Sequence, residues 1–236
     1  MKPTTIFYFE REGRENLPQV LRVLKRGLKK RPELRSLKLV IFTSTGEGPA
    51  LAFAQLHEFE PKIIAVTFPP DFTVKRGEGT FRPRISDKLQ AFFDGVGLKV
   101  ITGRLPFDPI EGMATYNEQL RVIRDTVAIF GGSFSLAIQA VLSACDAGQV
   151  GMGEKVVVIT GDVAAIVTAS STRKFLTKGD GLAVNEILCK PRNLTYGRKA
   201  DPSEGKSTGP AYDEKKLASR ILDVYSLPEN NPKKNE

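Results

Sequence analysis

The chain has little of what most metal and acid–base sites are built from. It carries one histidine, two cysteines and no tryptophan in 236 residues. A Cys₄ or Cys₃His zinc site is therefore impossible, as is any site needing two or three histidines, and no metal is expected. A histidine-based triad would have to run through His57, which follows a short helical stretch and precedes Glu58 and Glu60; that setting reads as surface. Cys145 and Cys189 allow at most one disulfide, a usage that suits a reducing cytosol. Both sit in apolar stretches and read as small buried hydrophobes. No apolar run approaches the roughly 18–20 residues that span a bilayer. The longest, Val156 to Ala169, is broken by Thr160, Gly161 and Asp162. Residues Met1 to Phe9 lack the apolar core of a signal peptide. A soluble, cytoplasmic protein with no membrane segment is the expectation.

What is abundant is positive charge. The formal net charge is +8 and the isoelectric point about 9.5. The excess is concentrated: residues 11–35 hold nine Lys/Arg against three Glu. Leu17, Val20, Leu21, Leu24 and Leu28 recur there at helical spacing, with Arg22, Lys25, Arg26, Lys29 and Lys30 between them. This pattern is an amphipathic helix with a solvated basic face. No segment interleaves aromatic and basic residues as a single-strand binder would, so nucleic acid is not the expected partner.

Along the chain, short β-prone runs alternate with helical periodicities. Strands are predicted at Thr5–Phe9, Leu37–Phe42, Ile63–Phe68, Leu98–Thr102, Lys155–Thr160 and Ala183–Lys190. Helices are predicted from Asn16 to about Arg31, over Ala50–Leu56, Ile85–Phe93, Asn117–Phe130 and Ser133–Ala147, with a short one near Ala164–Ala169. Asn16 is placed to cap the first helix, and Pro18 is tolerated in its first turn. Pro69–Arg84 and Pro106–Gly112 read as loops. This alternation is an α/β layer architecture. Residues 1–192 form the domain. Residues 193–236 form a polar, mobile tail, inside which Leu217, Ile221, Leu222 and Tyr225 predict a helix over 213–225.

Two apparent motifs fail. Gly205-Lys206-Ser207 resembles the end of a P-loop, but Ala200 stands where its first glycine belongs and no strand precedes it. No GxGxxG follows a strand, so a dinucleotide fingerprint is missing. The informative local pattern is Thr43-Ser44-Thr45-Gly46, between a strand and a helix. Hydroxyls, a pliant glycine and free N–H groups at a helix start make an anion cradle, in which Gly46 would let the backbone approach a ligand. Asp162 follows the Val156–Thr160 run at its carboxyl end, where open α/β sheets bind ligands. It reads either as a ligand-facing carboxylate or as a helix N-cap. Thr168, Ser170, Ser171, Thr172 and Arg173 make a hydroxyl-rich cluster that reads as a polar turn or a phosphate contact.

Val40 to Ala52, with Pro61 to Thr67, resembles the C-terminal α/β domain of pyruvate kinase. There a Thr-x-Ser/Thr-Gly loop at a helix start holds the phosphate of a sugar-bisphosphate effector; Thr43, Thr45 and Gly46 occupy the matching positions. Lys155 to Gly161 resembles the later strand and effector loop of the same domain. The chain up to Arg192 is more closely similar to a family of stand-alone proteins with that fold, found in archaea and some bacteria and linked with a flavin mononucleotide (FMN)-type ligand. Gly13-Arg14-Glu15-Asn16, Asp146-Ala147-Gly148 and Glu186 to Arg192 carry that similarity, over about four-fifths of the chain. The resemblance implies a three-layer α/β/α sandwich, mostly parallel, with an antiparallel last strand. It also implies that no pyruvate kinase active site is present, since that chemistry lives in a barrel domain lacking from this chain.

One departure is informative. Effector-binding pyruvate kinases often carry a basic residue after the loop glycine, whereas here it is Glu47. A carboxylate there would repel a doubly phosphorylated sugar. It can instead accept hydroxyls of a ribityl or ribose chain, or complement the helix dipole. Lys75 and Arg76, in a Phe72–Thr80 loop, could supply positive charge to a phosphate. The leading expectation is a binding protein for a phosphorylated small molecule, FMN first. Thr43, Ser44, Thr45 and Gly46 would hold the phosphate, with Glu47 on the ligand's hydroxyls and Thr67, Gly161 and Asp162 in the same crevice. The alternatives are a flavin-dependent or phosphotransfer enzyme (Asp146, Asp162 and Glu186 being the carboxylates to test), a regulatory or assembly module that forms homo-oligomers, and a basic-helix module for nucleic acid or another partner.

Overall fold

A computed structural model of the chain describes residues 5–76, 79–110 and 112–194. The elements run β1 (Phe7–Arg11), α1 (Leu17–Lys30), β2 (Lys38–Phe42), α2 (Glu47–Leu56), β3 (Ile63–Thr67), then the small pair β4 (Val74–Arg76) and β5 (Gly79–Phe81). They continue with α3 (Asp87–Gly95), β6 (Lys99–Thr102), α4 (Ala114–Ala128), α5 (Gly132–Asp146), β7 (Lys155–Ile159), β8 (Ala164–Thr168) and β9 (Ala183–Asn193). Seven strands make one sheet in the order β1-β9-β8-β7-β2-β3-β6. Six run in one direction; β8 runs against them and pairs antiparallel with both β7 and β9. The final strand is thus antiparallel to β8 and parallel to β1.

Strand alternation sorts the core into two faces. Leu39, Ile41, Ile63, Ala65, Val157 and Ile159 pack under α1, α2 and α3. Val40, Ile64, Val66, Val156 and Val158 pack against α5, and α4 lies against α5. Central strands buried on both sides explain their continuous apolar runs. The five apolar positions of α1 are all buried, a contribution of about 1.5–3 kcal/mol for each leucine. Its basic face is solvated as expected, with Lys25 paired to Glu58 at 2.8 Å.

Three local expectations are corrected. Ala164–Ala169 is not helical: Ala164–Thr168 is strand β8, so Asp162 caps no helix there. Pro69–Arg84 is not all loop, since β4 and β5 pair within it, Val74 opposite Phe81. Asn16 holds the N-cap position of α1, but its side-chain amide donates to Arg11 O at 2.8 Å instead of capping. The helix expected over 213–225 lies outside the described residues. Among those residues no single helix is long and apolar enough to cross a membrane.

Candidate functional site

Because six strands share a direction, their carboxyl ends share one edge, and the strand order changes direction between β7 and β2, from which β3 and β6 follow on one side and β8 and β9 on the other. Such a reversal leaves a crevice. Four connections meet there: β1–α1, β2–α2, the end of β3 and the β7–β8 turn. Thr43, Thr45, Thr67, Thr160 and Asp162 are all buried along it. The structure therefore brings together the residues that the sequence singled out on separate segments.

The β2–α2 loop is tightly made. Thr43 N–H donates to Val66 O at 2.9 Å, and Thr43 Oγ1 accepts from Gly46 N–H at 2.9 Å. One N–H of the expected cradle is thus already used. The first N–H groups of α2, at Glu47 and Gly48, are orphan donors of a helix start, while Pro49 has none to give. Gly46 has φ +87°, and a Cβ there would lie 2.5 Å from Leu89 Cδ2 and 3.3 Å from Ile85 Cγ2. The left-handed φ and the packing of Leu89 and Ile85 together demand glycine at this position. Glu47 is half-buried, and burial raises its carboxyl above the ordinary range while the charge of Arg14 pulls it back. The side chains of Lys75 and Arg76 lie outside the described residues.

The β7–β8 turn meets the β1–α1 loop. Asp162 Oδ2 accepts from Gly13 N–H at 2.9 Å, and a Cβ on Gly161 would lie 3.0 Å from Arg14 Cα. Burial pushes the Asp162 carboxyl above its usual value; the Gly13 N–H and the neighbouring Ser133 hydroxyl oppose this, and Glu12 and Glu15 reinforce it. Glu12 Oε1 in turn accepts from Gly132 N–H, at the start of α5, at 2.9 Å. Among the described residues four buried side-chain oxygens have no hydrogen-bond partner: Thr67 Oγ1, Ser135 Oγ, Thr160 Oγ1 and Asp162 Oδ1. Thr67 closes β3, Thr160 and Asp162 lie in the connection between β7 and β8, and Ser135 lies in the first turn of α5. Ser133 and Ser135 carry no local signal, and nothing local in the Gly13–Asn16 motif points Arg14 to this edge; the topology places all three here.

Beyond β3 the edge is aromatic. Phe68 and Phe72 stack with centroids 4.1 Å apart and planes 4° from parallel, and Phe42 meets Phe68 edge-on at 5.0 Å.

The other candidate residues have structural employment. Asp146 accepts from Thr172 N–H at 3.0 Å and from its hydroxyl, and Ser170 Oγ donates to Asp180 O at 2.8 Å. The hydroxyl-rich cluster is thus a hydrogen-bonded polar turn at the opposite edge of the sheet. Glu186 pairs with Arg31 at 2.6 Å. His57 is exposed, its Nδ1 lying 3.0 Å from Ala54 O. Burial raises both thiols, Cys189 to about 12. Neither thiol is therefore expected to react with an aromatic disulfide reagent at about pH 8 in the native protein, and both should react once urea unfolds it. Rapid native labelling of Cys189 would contradict the burial.

No family model and no solved structure matches the chain.

Proposed function

We propose that the carboxyl-edge crevice binds a phosphorylated small molecule, with FMN the first ligand to test, and that the chain is a stand-alone relative of the pyruvate kinase C-terminal domain. The observation that carries this is the set of unpartnered buried oxygens on Thr67, Ser135, Thr160 and Asp162. Each unmet polar group costs about 1–3 kcal/mol, and four at one edge of one sheet ask for a common partner. Hydroxyls donate to phosphoryl oxygens, and the start of α2 adds N–H groups and a positive dipole end.

The residues present fit FMN in outline. Ser44, Thr45 and the start of α2 would take the phosphate, and the Phe68–Phe72 stack offers a flat apolar surface to a ring system. Arg14, whose charge is felt at Glu47, supplies in space the cation that the sequence lacks after Gly46. A bound flavin would bring the redox chemistry of its ring; the chain's own part is to bind and orient it.

The test is titration of the full chain with FMN and with riboflavin, read by flavin fluorescence. Saturable quenching at micromolar FMN is expected, weaker by about tenfold or more for riboflavin, which lacks the phosphate. Thr45→Asp should abolish it; because Thr45 is buried, the half-buried Ser44→Asp serves as a second variant, with circular dichroism checking both folds. Absence of quenching at tens of micromolar FMN would reject the flavin. Equal affinity for riboflavin would reject the phosphate assignment.

A further inference from the structure

We infer that the opposite, amino-terminal edge of the sheet carries a second binding site, for a small organic anion with an apolar body. Lys38 opens β2, Lys62 immediately precedes β3 and Lys99 opens β6, on three adjacent parallel strands. The register Leu39↔Ile63 sets Lys38 beside Lys62, roughly 4.8 Å apart along the hydrogen-bonding direction. Lys99 stands opposite Ile64, two residues further along β3. By strand alternation all three share the face of Val40 and Ile64, the face covered by α5.

Like charges on neighbouring strands are unfavourable unless something compensates them. Lys38 is compensated: its Nζ donates to Gln149 O at 2.8 Å and to Glu154 Oε2 at 3.1 Å. Lys62 and Lys99 are exposed and form no ion pair among the described residues. A cavity of about 330 Å³ opens at this edge of the sheet: Lys62 and Lys99 line it, and Phe53, Val96 and Leu98, which belong to the core on the α1–α3 face, wall its apolar side. Gly97, with φ +71°, has nothing within 4 Å of where a Cβ would stand, so the mouth is open there. Two free ammonium groups beside an apolar-walled cavity of small-molecule size fit a phosphate or carboxylate head carried on an aromatic or short aliphatic body.

This site lies at the far end of the strands from the crevice of Thr43 and Asp162, so the two are separable by experiment. The full chain, labelled with nitrogen-15, is titrated with phenyl phosphate and, separately, with inorganic phosphate while amide shifts are followed. Saturable shifts at Gly97, Leu98 and Gln149 are expected with phenyl phosphate, and weaker ones with inorganic phosphate, which has no apolar body. Lys62→Gln with Lys99→Gln should weaken phenyl phosphate about tenfold, the size expected for two exposed charge contacts. Both lysines are exposed, so the double variant should fold; its amide spectrum verifies this. No saturation at these amides, or equal affinity in the double variant, would reduce the lysines to solvated charges and overturn the site. Shifts confined to residues 43–47 would overturn it too, while favouring a phosphate at the carboxyl edge.

Discussion

Gly46→Ala is expected to destabilise the protein by about 3 kcal/mol, a fall in thermal midpoint of roughly 10 °C for a domain of this size. Two costs combine. At φ +87° an L-residue gives up about 1–2 kcal/mol, since its Cβ crowds the following carbonyl. The added methyl would also sit 2.5 Å from Leu89 Cδ2, an overlap of the kind that costs about 1–3 kcal/mol in a packed interior. Leu89 is 7% exposed, so its methyl can give way only against packed neighbours. A chemical denaturation series on Gly46→Ala, Leu89→Ala and the double variant tests the origin of the cost. The double variant should lose less than the sum of the singles, because shortening Leu89 removes the overlap that the methyl creates. A Gly46→Ala stability within half a kilocalorie per mole of the parent would mean that the loop relaxes freely.

The fold was legible where one physical signal dominated. The run Lys155 to Ile159, β-branched and flanked by Gly153 and Gly161, could only be a buried strand, and the leucine spacing of α1 could only be an amphipathic helix. It was misread where signals competed. Ala164-Ala165-Ile166-Val167-Thr168 is short, apolar and opens with two alanines, which helices favour. The β-branched Ile166, Val167 and Thr168 were the better guide, and burial between β7 and β9 settled the matter. The β4–β5 pair hid in a polar stretch because three-residue strands carry almost no periodicity.

The candidate site divides along the same line. Thr43 to Glu47, Thr67, Gly161 and Asp162 lie at strand ends, which local sequence marks with hydroxyls, glycine and acid. Their meeting depends on β7 lying beside β2 and on the β1–α1 loop folding back over Gly161, and neither is a local property. Asp162 bonds a residue 149 positions away. Gly46 shows the converse: the glycine is plain in the sequence, but half of its reason, the flank of Leu89 beside a left-handed φ, is tertiary. The positive charge that acts on Glu47 comes from Arg14, on the β1–α1 loop, where no spacing rule points to it.

Asp162→Ala is expected to cost about 2 kcal/mol, and Asp162→Asn to cost little at acid pH and to stabilise the protein at neutral pH. The alanine leaves Gly13 N–H without its acceptor, and an unmet buried donor accounts for about 1–3 kcal/mol. The asparagine keeps an oxygen on that N–H and removes a charge buried beside Glu12 and Glu15. The pH dependence fixes the sign. Burial raises the Asp162 carboxyl in the folded protein above its unfolded value near pH 4, so between those two values the native state holds the proton more tightly than the unfolded state. Stability contributed by this group is then complete below about pH 4 and declines as pH rises through the raised folded value. Glu47 acts in the same direction, so the slope in Asp162→Asn should flatten without vanishing. Urea denaturation of the parent and both variants at about pH 4 and about pH 7 measures the difference. Parallel pH profiles for the parent and Asp162→Asn would show that Asp162 is hydrated and takes no part in the buried network. A steeper loss in the parent at neutral pH would identify the charge that a bound ligand's hydroxyl could solvate through the unpartnered Oδ1.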